Sequence, residues 1–178
     1  MIYLRCLLLI LLLISGGCSP LRSPPQQAGG GVLQGLANVP FRAQQSRDDC
    51  GPAALASLLA HRGLELSVAE ITRAVYSPAL GGSLLPDLEN FARQRGFATR
   101  SGRGDLSLLR RTLAAGRPLL IPVETGLGPL TRPHYLVLYG ADAEGFLAHA
   151  GVREAVYISD ADLLPRWAKM NRLYLHLE

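Results

Sequence analysis

The hydrophobic period of this chain changes once, near Gly116 and Pro118. That change restricts the fold to one in which packed helices meet a sheet. Before it, apolar residues recur at helical spacing. Leu55, Leu58 and Leu59 form one stripe after Pro52, a residue suited to a first helical turn, and Gly63 closes the segment. Ser67 followed by Glu70 is a capping box ahead of Ile71 and Val75. Leu85, Leu88 and Ala92, between Ser83 and Gly96, predict a third helix, and Asp105 caps a fourth that carries Leu106, Leu109 and Leu113 up to Gly116. After the change, Leu119-Leu120-Ile121 is a short buried run, and from His134 to Tyr139 successive side chains alternate between two faces. Residues 146–149 and 155–158 predict a hairpin around Gly151, followed by a short helix over 160–168 and a last strand over 173–177. The expected class is α+β, with an N-terminal helical lobe and a C-terminal antiparallel sheet. An apolar content of 48% in 178 residues supports one domain of this kind rather than two.

Residues 1–17 read as a targeting signal: Arg5, an apolar run over 7–14, then Ser15-Gly16-Gly17 leading into Cys18. Even stretched over residues 1–14, the run is shorter than the roughly 20 residues a spanning helix needs. The pattern resembles a bacterial lipoprotein signal, in which the chain is cut before a cysteine that then carries lipid, although Ser15 stands where such signals usually have Leu. Cys18 is therefore the expected lipidation site, holding the protein to the cell envelope and facing the periplasm. Ser19 is compatible with outer-membrane sorting. Residues 18–38, rich in Ser, Pro, Gln and Gly, read as a flexible tether, and residues 39–178 as the folded domain.

With Cys6 in the leader and Cys18 assigned to lipid, Cys50 is the single thiol of the folded domain. An unpaired thiol in an oxidising compartment asks for a chemical reason. Asp49-Cys50-Gly51-Pro52-Ala53-Ala54-Leu55 places it where a loop becomes a helix. There the free N–H groups and the helix dipole favour a thiolate and can cradle an oxyanion, so a lowered thiol pKa is expected. Asp48 and Asp49 oppose this by charge. Gln44, six residues upstream, is a candidate second oxyanion donor, with Gln45 the alternative. Of the four histidines, His134 is the candidate base, entering a strand behind Pro133, whereas His61 and His176 read as structural.

Gln44, Cys50-Gly51-Pro52-Ala53-Ala54-Leu55 and His134-Tyr135-Leu136-Val137-Leu138-Tyr139-Gly140 resemble the bacteriocin-processing peptidases that cut after double-glycine leaders, and their relatives without a transporter. The resemblance runs over residues 39–178. It implies a papain-like fold, Cys50 as nucleophile, His134 as general base and Gln44 as oxyanion donor, acting on a peptide or protein substrate. That family usually has an Asp about sixteen residues after the His, where this chain has Ala150. The nearby Phe146-Leu147-Ala148-His149 resembles the papain-like murein endopeptidases, which use a His as third member. His149, Asp142 or a bare Cys-His dyad are the alternatives for orienting His134.

A formal charge of +4 is too mild to indicate a nucleic-acid partner. Seven arginines between Arg93 and Arg117 face only Asp105 in that stretch, which reads as a solvated face or as a contact for an anionic envelope surface or acidic partner. No zinc spacing and no phosphate-binding glycine loop occur, so neither a metal nor a cofactor is expected. The functions that remain are a thiol peptidase, a degenerate papain-like module that only holds a peptide, and a murein endopeptidase or transpeptidase. Any transporter or envelope partner would be a separate chain.

Overall fold

The computed structural model describes residues 34–36, 38–126 and 128–178. The leader, Cys18 and the tether up to residue 33 lie outside them. Among the described residues no helix is long and apolar enough to cross a membrane.

The elements in chain order are β1 (Gln34–Gly35), α1 (Cys50–His61), α2 (Val68–Val75), α3 (Leu85–Gln94), β2 (Thr99–Arg103), α4 (Leu106–Ala114), β3 (Leu119–Thr125), β4 (Arg132–Ala141), β5 (Gly145–Ala150), β6 (Arg153–Ser159), α5 (Asp160–Ala168) and β7 (Leu173–Leu177). The strands form one antiparallel sheet in the order β2-β7-β3-β4-β5-β6, with β1 pairing the far end of β4 at Gly140 and Ala141. Gln34 and Gly35 thus join the sheet from within the stretch expected to be tether.

Alternation along the strands divides the core in two. Leu120, Tyr135, Val137, Leu175 and Leu177 pack with α1, α2 and α3 on one face. Leu119, Ile121, Leu136, Leu138 and Phe146 pack with Leu109, Leu113, Leu163 and Trp167 of α4 and α5 on the other. Helix α1 is the centre of the first layer, with Gly51 through Ala60 all buried. Its sequence is apolar all round because it is enclosed all round. Deleting one of its fully buried leucines, such as Leu55, would cost about 2–5 kcal/mol.

Local signals set the helix starts. Ser67 accepts from the Glu70 N–H at 3.1 Å and Asp105 from the Leu108 N–H at 2.6 Å. Helix α3 starts without a side-chain cap, since Ser83 Oγ makes no hydrogen bond among the described residues. Like β1, strand β2 has no signal in the sequence: Thr-Arg-Ser-Gly-Arg has no apolar alternation and lies at the sheet edge, paired to β7 alone. The arginine-rich stretch is partly neutralised by acids outside it, Glu89 one helical turn before Arg93 and more distant ones through Arg95–Glu70, Arg100–Glu178 and Arg110–Asp160.

Candidate active site

Cys50 opens α1 and sits half-buried against the start of β4. Two features bring the helix end this close. Gly51 lies under the Tyr135 ring, where a Cβ would stand 3.1 Å from ring carbons and 3.2 Å from Leu88, so a side chain there would push β4 away. The Tyr135 hydroxyl donates to Ser83 O at 3.1 Å, which fixes the ring from the other side. The sulfur consequently has the backbone N–H groups of Tyr135, Gly51 and Cys50 around it. These favour the thiolate, but burial outweighs them and the charge of Asp49 adds to it, so the thiol pKa is raised. The lowered pKa expected from the helix terminus is therefore corrected: desolvation exceeds the helix-end effect.

His134 follows two residues after Arg132 at the start of β4, opposite Val123 of β3. Its imidazole pKa is lowered by burial first and then by the charges of Arg132 and Arg153. Both shifts favour the uncharged form of their group, imidazole and thiol alike. Gly151, in the β5–β6 turn with φ +64, is where the partners converge. A Cβ on it would lie 2.5 Å from Gln44 Oε1 and 3.0 Å from His134 Cε1, and the Gln44 N–H donates to its carbonyl at 3.1 Å. Gly151 also lines a small cavity together with Cys50, Tyr135, Val137 and His149. Gln44 Nε2 gives one hydrogen to Ser46 O at 3.0 Å, while Oε1 is buried without a hydrogen-bond partner. No other acceptor takes the second N–H of that amide among the described residues.

His149 is placed differently from the orienting role expected of it. Its ring Nε2 lies 3.0 Å from Val39 O, the Ala155 N–H donates toward Nδ1 at 3.5 Å, and the ring stacks on Tyr139 at 4.4 Å. Both nitrogens are engaged by backbone, so His149 ties the incoming chain to the sheet and offers nothing to His134. Asp142 is also occupied elsewhere, accepting from the Glu144 and Gly145 N–H groups at 2.8 Å and from Tyr157 in the β4–β5 turn. Among the described residues no side chain hydrogen-bonds the His134 ring. His61 meets Asn38 O, and His176 is buried beside Tyr174; neither reaches the site. No group of His, Cys, Asp and Glu side chains suited to a metal occurs among the described residues.

Sequence reasoning treated Gly151 as a turn, treated Asp49 only as a repulsive charge, and did not single out Arg132 and Arg153. Arg132 shares the His134 face two residues along the same strand, whereas Arg153 is brought there by strand pairing, which has no local signature. Asp49 had one: a carboxylate kept directly before the nucleophile, where its charge is unhelpful.

The Peptidase C39 family profile matches residues 38–173. No curated protein matches the sequence significantly. Among solved structures, a C39-like peptidase from Bacillus anthracis is similar with a TM-score of 0.68 at 15% identity, over 83% of this chain and 98% of that one. The peptidase domain of Streptococcus ComA, a bifunctional ABC transporter of a quorum-sensing pathway, gives 0.66 at 24% identity, over 79% and 98%. A double-glycine-motif protease from an AMS/PCAT transporter, in complex with its leader peptide, gives 0.65 at 19% identity, over 83% and 96%. These likenesses bear on the fold, whereas the family match spans the chain from ahead of Gln44 to the start of β7. The chain belongs to the peptidase C39 family and is a cysteine peptidase of papain-like fold.

Proposed function

We propose that the protein cleaves a peptide bond of a leader-type peptide through a thioester on Cys50, with His134 as general base and Gln44 as oxyanion donor. The observation that carries this is the convergence of the three: the Tyr135 N–H next to His134 reaches the Cys50 sulfur, and Gly151 touches both His134 and Gln44. With both shifts favouring the uncharged groups, the sulfur loses its proton to His134 as it attacks the carbonyl carbon. The oxyanion is met by N–H groups at the start of α1 and by the free N–H of Gln44. Collapse expels the amine, which takes the proton back from His134, and leaves a thioester. Water, deprotonated by His134, then hydrolyses the thioester to a carboxylic acid and restores the thiol.

The leader-type substrate is drawn from the transporter-associated protease solved with its leader peptide. Attachment to the envelope by lipid on Cys18, facing the periplasm, rests on the apolar run over 7–14 and the small residues before Cys18. A peptide-holding module without turnover is the second reading, favoured by the lack of a hydrogen-bond partner for the His134 ring among the described residues. The murein reading loses one of its two motives with the placement of His149 and keeps only the proposed lipid anchor. Purified full chain incubated with peptides containing Gly-Gly should release two fragments. Cys50→Ala should bind the same peptide and release none. Binding by wild type without turnover on any peptide would favour the module, and intact mass of the membrane-extracted protein reports whether Cys18 carries lipid.

A further inference from the structure

Asp49 poses a physical problem. Its carboxylate is only 5% exposed and makes no ion pair among the described residues, yet it stands directly before the nucleophile. A buried charge of that kind costs stability unless hydrogen bonds satisfy it. Its own charge also disfavours the thiolate. It does not cap α1, since no side-chain cap bond is made there. The carboxylate turns back instead and accepts the Gln45 N–H at 3.1 and 3.2 Å and the Ser46 N–H at 3.0 and 3.2 Å. Charge-assisted bonds to two successive N–H groups fix the orientation of both peptide planes.

Those are the 44–45 and 45–46 planes, and they lead directly into the Ser46 carbonyl that holds the Gln44 amide. The Ser46 carbonyl receives one hydrogen of the Gln44 amide at 3.0 Å, and the Gln44 N–H is held by Gly151 O at 3.1 Å. A continuous path therefore runs from the Asp49 carboxylate through the Ser46 peptide to the Gln44 amide. Without the carboxylate, two N–H groups lose their acceptor and the 45–46 backbone is free to turn. The Ser46 carbonyl would then cease to aim the amide.

We infer that Asp49 is a positioning residue that orients the Gln44 amide toward the oxyanion by gripping the Gln45 and Ser46 N–H groups. The inference rests on the peptidase reading above. It implies that the fold accepts a charge unfavourable to the thiolate because the transition state gains a preset donor.

The two effects of Asp49 have opposite signs, which makes the test specific. In Asp49→Ala and Asp49→Asn, hydrolysis of a cleaved peptide should fall, by about 100-fold for the alanine variant, mostly in kcat. Affinity for a peptide aldehyde, whose hemithioacetal oxygen mimics the oxyanion, should fall by the same factor. Alkylation of Cys50 by iodoacetamide at neutral pH needs no oxyanion donor and should become faster, because the neighbouring negative charge has gone. In a Gln44→Ala background, Asp49→Ala should cost almost nothing further. The asparagine variant preserves shape and serves if the alanine variant does not fold. Hydrolysis unchanged in both variants overturns the inference, as does full additivity with Gln44→Ala, or alkylation that falls in step with hydrolysis. Wild type that neither cleaves peptides nor binds the aldehyde overturns the peptidase reading and this inference with it.

Discussion

On the Cys50 side of the site, residues 44–51 are held bond by bond: Asp49 grips two N–H groups, Ser46 O holds the Gln44 amide, and Gly51 is pressed under the Tyr135 ring. On the His134 side the ring has no hydrogen-bond partner among the described residues, and two guanidinium charges stand near it. The nucleophile side is specified by a short run of sequence folding on itself. The base side is assembled by sheet pairing from residues 132–134 and 151–153, and its protonation is set by burial and charge rather than by an orienting acid. The difference teaches that the backbone around Cys50 and Gln44 is held more firmly than the imidazole of His134.

The strongest way to break that comparison is to remove each side outright. Cys50→Ala and His134→Ala should each lower kcat/KM by about 10⁴, and the double variant should be little worse than either. A His134→Ala enzyme retaining a tenth of the activity would show that the loosely held base is dispensable. Gly151 is where the two sides touch, and Gly151→Val would force a branched side chain into a left-handed conformation and into both Gln44 and His134. Turnover should fall by about 10²-fold, since a displacement near 1 Å is enough for that.

The next prediction sharpens the boundary of the site. His149→Phe removes the bond to Val39 O and should cost about 1–3 kcal/mol in a denaturant titration. Turnover of the folded fraction should stay within about threefold, because His149 does not touch His134. The smallest effect is on pH. Under the proposed mechanism His134 is a neutral base, and with its pKa lowered activity should persist below the pH at which an ordinary imidazole is half protonated. Arg153→Gln removes one source of that lowering. The pKa then rises, and the acid limb of the kcat/KM profile should move to higher pH; a limb that stays in place would show that Arg153 does not contribute to the lowering.

What could be read in advance follows the same division. The caps at Ser67 and Asp105, the helix opened by Cys50 and the alternation of 134–139 are local, and the fold places them as their residues require. Strand β2 was not legible, because residues 99–103 pair with β7 through backbone and bury no regular face. The sign of the Cys50 shift was hidden too, since it depends on the packing of Tyr135 and its neighbours around the sulfur. His149 misled for a physical reason: its neighbours in sequence suggest a catalytic strand, but the chain passing at Val39 and the Ala155 N–H claim both ring nitrogens. Arg132 could have been read from its i,i+2 spacing to His134, whereas Arg153 acquires meaning only once β4 and the β5–β6 turn are side by side.

Acid quenching of the full-length protein during turnover of an activated acyl substrate, followed by peptide-level mass spectrometry, addresses the central claim most directly. The account predicts one equivalent of acyl group on Cys50, formed at a rate that collapses in His134→Ala. An acyl group on any other residue, or one forming on Cys50 equally fast without His134, would contradict it.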